Sequence, residues 1–228
     1  MFVLIERLLT PDSRLQTMII TSAKYLISNP DYTACPAPDR AEYAFIGRSN
    51  VGKSSLINML TNNSKLAKTS GSPGKTQLIN HFEIESKTGK DQHQRWYLVD
   101  LPGYGFAKVG QSSRRRWEQM IENYLRKRPN LVNVFVLIDS RHSPQKIDLD
   151  FLDKLGKWQI PFTLAFTKAD KETQKEVSKN VKAFLEAMKR TWQFLPRHFV
   201  TSAEKKLGRE KMLQFIEESN QAFTTYSE

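Results

Sequence analysis

Cysteine is nearly missing from this chain: Cys35 stands alone among 228 residues. That excludes an internal disulfide framework and any zinc site built from several thiolates. The four histidines, His81, His93, His142 and His198, are scattered without ligand spacing, so no metal centre of that kind is expected. Long apolar runs are also absent. The best, Val134–Ile138, has a strand's length, far short of the ~18 residues of a membrane span. Met1–Thr10 offers no basic stretch followed by an adequate apolar one, so no secretion signal is read and the cytoplasm is the expected address. Negative charge is scarce too, with 24 acidic residues against 35 basic ones and a net charge of +11. What is present in quantity is hydrophobic residues, 39% of the chain, with aromatics 11% of the chain, enough for one well-packed domain.

The positive excess is not spread evenly. Residues 1–40 are neutral, 41–63 carry +1, 64–128 carry +7 and 129–228 carry +3. The central stretch holds Lys65, Lys68, Lys75, Arg114–Arg116 and Arg126–Arg128. A concentration of this kind suits a polyanion, nucleic acid or an acidic membrane surface, although a solvated helix face would look similar.

Residues 1–40 are punctuated by Pro11, Pro30, Pro36 and Pro38 and read as an extension packed on a domain spanning 41–228. Within that domain short apolar runs alternate with helical spacing. Strands are predicted at Tyr43–Ile46, Leu78–Ile84, Arg95–Val99, Val134–Ile138, Phe162–Phe166 and His198–Val200. Helices are predicted through Leu56–Leu60, Trp117–Leu125, Ile147–Leu155, Glu172–Met188 and Glu210–Phe223. The polar stretch Ser86–Gln94 with Gly89 suits a hairpin, which makes the second strand antiparallel to the third. The expected fold is therefore three-layer α/β: a six-stranded, mostly parallel sheet with one antiparallel strand and helices on both faces.

Between the first strand and the first helix lies Gly47-Arg48-Ser49-Asn50-Val51-Gly52-Lys53-Ser54, a complete G-x-x-x-x-G-K-S phosphate loop in the setting that gives the motif its meaning. Glycines let successive N–H groups turn inward, and the helix start adds its positive dipole end. Lys53 is placed to reach β- and γ-phosphates and the Ser54 hydroxyl to ligate Mg²⁺. Kinases, ATPases and GTPases all share this loop. Asp100-Leu101-Pro102-Gly103 follows a strand, putting a carboxylate where it can hold Mg²⁺ through water and an N–H, that of Gly103, where a γ-phosphate lies. Thr167-Lys168-Ala169-Asp170 follows the next-to-last strand; a carboxylate there can accept from guanine N1–H and the 2-amino group, a donor pair adenine lacks. Thr201-Ser202-Ala203 follows the last strand and can offer an N–H to guanine O6. Each segment alone is weak, but all lie at strand C-terminal ends, where open α/β sheets bind ligands.

The series G-R-S-N-V-G-K-S-S-L-I-N (Gly47–Asn58), D-L-P-G-Y-G-F-A (Asp100–Ala107), T-K-A-D and S-A resembles the EngB family of ribosome-assembly GTPases over about residues 17–223. The resemblance implies a P-loop G domain that binds GTP and GDP with Mg²⁺. It also implies slow hydrolysis and a role in assembling the large ribosomal subunit, with an associated need for it in cell division and septation. The polar segment Asn62–Gln77, with Gly71, Pro73 and Gly74, reads as a first switch and the loop Gly103–Arg116 as a second. By the resemblance Ser55, Gly74, Lys75 and Thr76 join the nucleotide-binding set, with the Thr76 hydroxyl on Mg²⁺. Many GTPases orient the attacking water with a Gln just after D-x-x-G, but here that place holds Tyr104. In related GTPases with Asn at the position of Asn50, a K⁺ ion acts there like an arginine finger, so Lys53, Asn50, Thr76 and Gly103 make up the expected catalytic set. The expected partners are rRNA and ribosomal proteins, met through the basic surface beside the switches by a monomer with no membrane attachment. A nucleotide-sensing module without meaningful hydrolysis, a P-loop kinase and a membrane-associated G domain are the rival readings.

Overall fold

A computed structural model describes residues 18–68, 78–89, 92–105 and 111–227. Its strands are β1 (Ile19–Asn29), β2 (Glu42–Gly47), β3 (Ile79–Thr88), β4 (Gln92–Asp100), β5 (Leu131–Asp139), β6 (Phe162–Thr167) and β7 (His198–Val200). Its α-helices are α1 (Lys53–Thr61), α2 (Gln111–Lys127), α3 (Lys146–Lys157), α4 (Gln174–Met188) and α5 (Arg209–Ser227), with a single 3₁₀ turn at Tyr32–Ala34.

All seven strands form one sheet in the order β1-β3-β4-β2-β5-β6-β7. From β4 across to β7 the pairings are parallel. As the hairpin signal predicts, β3 runs antiparallel to β4, with Asn80 opposite Asp100 and Thr88 opposite Gln92. The sheet has one strand more than expected. The addition is β1, drawn from the segment read as an extension, which pairs antiparallel with β3 through two register shifts. Its pattern is blurred because it lies at the sheet's edge, where Tyr25, Leu26 and Ile27 stay exposed and strict alternation is not imposed.

Alternation is clear in the centre. In β2, Tyr43 and Phe45 face one side and Ala44 and Ile46 the other, all without solvent exposure. The first pair packs with Phe135, Leu137 and Trp96 against Leu56 and Leu60 of α1 and Met212, Leu213 and Ile216 of α5. The second packs with Val99, Val134, Val136 and Phe166 against Ile121 and Leu125 of α2, Leu152 of α3 and Phe184 of α4. A sheet buried on both faces by helices of opposite layers is what parallel β-α connections require.

Helix ends follow local chemistry. α4 starts at Thr173, whose hydroxyl accepts from the Glu176 N–H at 3.2 Å, with Glu176 itself in the first turn beside the positive dipole end. α1 stops at Asn62, a left-handed residue whose N–H caps the Asn58 and Met59 carbonyls. Because β2, β4, β6 and β7 all point the same way, the segments following Gly47, Asp100, Thr167 and Val200 gather along one edge of the sheet.

Candidate functional site

The phosphate loop is set by contacts that admit little change. A Cβ on Gly47 would lie 2.9 Å from Leu137 Cβ, Leu137 O and Val51 Cγ1, so the close crossing of β2 and β5 demands glycine. Gly52 has room but a φ of +99°, the left-handed geometry that turns the chain into α1. The Asn50 backbone is also left-handed, at φ 61°. From the neighbouring strand Thr167 Oγ1 donates to Val51 O at 2.6 Å, and Lys168 Nζ donates to Asn50 O at 2.5 Å and to Asp139 Oδ2 at 2.9 Å. The first half of T-K-A-D thus braces the loop from behind.

At the start of α1 the Lys53 amine donates to Asp100 Oδ1, and both side chains are buried. Burial pushes the Lys53 amine down to about 7, because the buried ammonium loses its hydration. Ser54 adjoins it on α1, and Leu101, Pro102 and Gly103 follow Asp100 as buried residues. The Leu101 N–H donates to Phe45 O at 3.0 Å and the Tyr104 N–H to Gly47 O at 3.3 Å, tying the D-L-P-G segment to β2. An amine and a carboxylate meeting at a helix N-terminus suit a polyphosphate with a hard divalent cation; oxygen donors such as Asp100 and the neighbouring Ser54 fit Mg²⁺.

A cleft of about 720 Å³ opens beside α1, lined by Ser55, Asn58, Asp170, Thr201, Ala203 and Lys206 among others. The Ser202 hydroxyl donates to Asp170 Oδ1 at 2.6 Å and holds that carboxyl below its usual range. Oδ2 lies 3.1 Å from Lys171 Nζ yet takes no hydrogen bond. The Ala169 N–H donates to Thr201 O at 3.1 Å, fixing the two loops together. Gly208, at φ +78°, lets the chain pass Val200 O, where a Cβ would stand 2.6 Å away.

The expected phosphate-loop, Asp100–Gly103, Thr167–Asp170 and Thr201–Ala203 residues therefore converge on one edge. Gly74, Lys75 and Thr76 lie outside the described residues. Other participants were not anticipated. Asp139, at the end of β5, binds Arg141 and Lys168; burial would raise its carboxyl, but these donors hold it at about 2. An acidic residue ending a strand was the available signal. Asp148, in the first turn of α3, is 2% exposed and accepts from the Tyr104 hydroxyl at 2.7 Å, and burial raises its carboxyl. Nothing local marks it.

The basic cluster is corrected in part. Arg128 is buried and its guanidinium donates to both oxygens of Glu42 at 2.9 and 2.8 Å. Glu42 opens β2, so Arg126–Arg128 belong to the sheet end opposite the phosphate loop. Nearby Arg126 pairs with Glu122 at 2.8 Å, and Lys127 lies 5.3 Å from the Tyr32 ring centroid. Arg115 and Arg116 remain exposed on the first part of α2, the end nearer D-L-P-G. Among the described residues no helix is long and apolar enough to cross a membrane.

A family model described as a 50S ribosome-binding GTPase matches residues 42–168. A protein of Flavobacterium psychrophilum described as "probable GTP-binding protein EngB" is 53% identical over 205 residues, 90% of this chain and 96% of that one. A Porphyromonas gingivalis protein of the same description is 52% identical, covering 91% of this chain and 100% of its own. Among solved structures, a probable GTP-binding protein engB superposes with a TM-score of 0.58 at 23% identity, over 79% of this chain and 100% of that one. Era in complex with MgGDPNP and a fragment of 16S ribosomal RNA reaches 0.62 at 20% identity, over 77% of this chain and 55% of that one. At such identities the structural likeness concerns the fold alone.

Proposed function

This chain belongs to the EngB family of GTP-binding proteins, a family of GTPases, and from that premise we propose that it is a slow GTP-driven switch acting on the large ribosomal subunit during its assembly. The observation that carries the reading is Asp170. Ser202 fixes one carboxylate oxygen, Lys171 pairs with the other at 3.1 Å, and the residue lines a cleft that begins at Gly52 of the phosphate loop. Such a carboxylate can accept from guanine N1–H and the 2-amino group, and a site left unpaired by the wrong base discriminates by roughly 10⁴. The Ala203 N–H would meet O6.

At the other end Lys53 would exchange Asp100 for the β- and γ-phosphates, and the Gly103 N–H would meet the γ-phosphate. Ser54, Thr76 and, through water, Asp100 would hold Mg²⁺, which would supply positive charge against the phosphates. Slow turnover follows from Tyr104: its hydroxyl is engaged with Asp148 and its ring stacks on Phe151, so it supplies no water-orienting amide. Asn50 would hold a K⁺ ion beside the phosphates.

The ribosomal partner rests on the family described as 50S ribosome-binding and on this chain's +11 charge. Arg115 and Arg116 on α2, beside the D-L-P-G segment, are the residues we assign to that contact. The test is co-sedimentation with large subunits in GDP and in non-hydrolysable GTP and xanthosine triphosphate analogues, for wild type and Asp170→Asn, across salt. Wild type should co-sediment with the GTP analogue and release with GDP. Asp170→Asn should follow the xanthosine analogue instead. Co-sedimentation indifferent to nucleotide in both proteins refutes the switch.

A further inference from the structure

Tyr104 occupies the position after D-x-x-G, yet its side chain turns to α3. The ring stacks on Phe151 with centroids 4.3 Å apart and 17° between planes. Its hydroxyl donates to Asp148 Oδ1 at 2.7 Å, and Arg48 of the phosphate loop places a guanidinium nitrogen 3.9 Å from Asp148 Oδ2. On the backbone side the Tyr104 N–H donates to Gly47 O, and Arg48 and Tyr104 form a parallel bridge. The next residue, Gly105, has a φ of +78°, and a Cβ there would stand 2.5 Å from Ile147 Cδ1. Tyr104 is thus clamped on two sides. Asp148, 2% exposed, is a buried carboxylate whose short hydrogen bond comes from that one hydroxyl.

We infer that Asp148 is a positioning residue for γ-phosphate recognition: by holding the Tyr104 hydroxyl it fixes the peptide of Gly103 and so aims the N–H that distinguishes GTP from GDP. The inference rests on the nucleotide reading above. GTP and GDP differ by one phosphate, and the donor assigned to it is one residue from the clamp. An N–H already held in place costs nothing to orient when the ligand arrives, whereas a loosened one must be ordered at the expense of affinity. The loss should therefore fall on GTP and spare GDP, which makes no contact with Gly103. Arg48 joins the phosphate loop to the same carboxylate, so loop and switch entry share one anchor on α3.

The test measures affinities of fluorescent GDP and of a non-hydrolysable GTP analogue for the full chain and for Tyr104→Phe, Asp148→Asn and Asp148→Leu. Tyr104→Phe keeps the ring stack and removes only the hydrogen bond. It should lower the GTP-analogue-to-GDP affinity ratio about 10-fold with GDP affinity within about 2-fold of wild type. Asp148→Asn keeps an acceptor for the hydroxyl and should hold the ratio within about 2-fold; Asp148→Leu should behave as Tyr104→Phe. If Asp148→Leu does not fold, Tyr104→Phe against Asp148→Asn still decides. An unchanged ratio in Tyr104→Phe, or equal losses for both nucleotides, overturns the inference. A wild-type chain that binds neither nucleotide overturns the reading beneath it instead.

Discussion

Removing Arg128 should cost the domain about 3 kcal/mol, although its sequence neighbours make it look like a surface cation. Glu42 is fully buried and accepts from Tyr124 Oη at 2.5 Å, from Arg128 at 2.9 and 2.8 Å and from Asn130 at 3.3 Å, with His81 Nε2 3.4 Å away. Burial pushes the carboxyl up, but His81, Arg128 and Tyr124 outweigh it and hold the group at about 2, against 4.5 for a free glutamate. At about 1.4 kcal/mol per pH unit that gap is worth about 3 kcal/mol. Breaking a buried ion pair by deleting one partner costs a similar ~3–5 kcal/mol, because a charge is left stranded. A folded-state carboxyl lowered in this way stabilises fully above the unfolded value. Its contribution is lost as pH falls from about 4.5 towards 2. Arg128→Met at pH 7 should therefore melt roughly 6–12 °C below wild type, at ~2–4 °C per kcal/mol for a domain of this size. Glu42→Gln/Arg128→Met together should recover part of that, and Glu42→Gln alone should flatten the acid limb of stability. Thermal and urea melts from pH 7 to pH 3 provide the measurement. An Arg128→Met melt within about 2 °C of wild type would refute the buried pair and return Arg128 to the list of docking cations.

Two further outcomes follow from the site. GTP hydrolysis, assayed with and without large ribosomal subunits, should run several-fold faster in K⁺ than in Na⁺; equal rates in both settings remove Asn50 from that role. Gly47→Ala should weaken fluorescent GDP binding at least ~10-fold, because a Cβ 2.9 Å from Leu137 and Val51 forces the start of the phosphate loop outward. Binding unchanged by that substitution would mean the loop accommodates the methyl by moving a part that does not touch nucleotide.

Much of the site could be read before any fold was known, because its parts are short and local. A phosphate loop needs only its glycines, its Lys53 and the turn from strand to helix, all within eight residues. T-K-A-D and D-L-P-G likewise carry their chemistry in four residues each at a strand's end. The central strands were legible for a related reason: β5 and β6 are buried on both faces and so carry apolar runs, Val134–Ile138 and Leu164–Phe166. β1 was not, since an edge strand with two register shifts and exposed apolar side chains matches neither alternation nor a buried run.

The charge pattern shows where reading along the chain ends. Arg126, Lys127 and Arg128 are neighbours in sequence and look alike there. The fold gives them three different partners: Glu122 one helical turn back, the Tyr32 ring, and Glu42 at the head of β2. Glu42 is 86 residues away from Arg128, and Tyr104 meets Asp148 across 44. Composition and motif spacing determined by themselves that this chain is a P-loop α/β domain with a surplus of positive charge, since both follow from residue identity and local backbone geometry. Only the tertiary structure decided which cations are buried and which carboxylate holds the residue after D-x-x-G. Burial and ion pairing depend on what distant segments bring alongside, and no short window of sequence contains that.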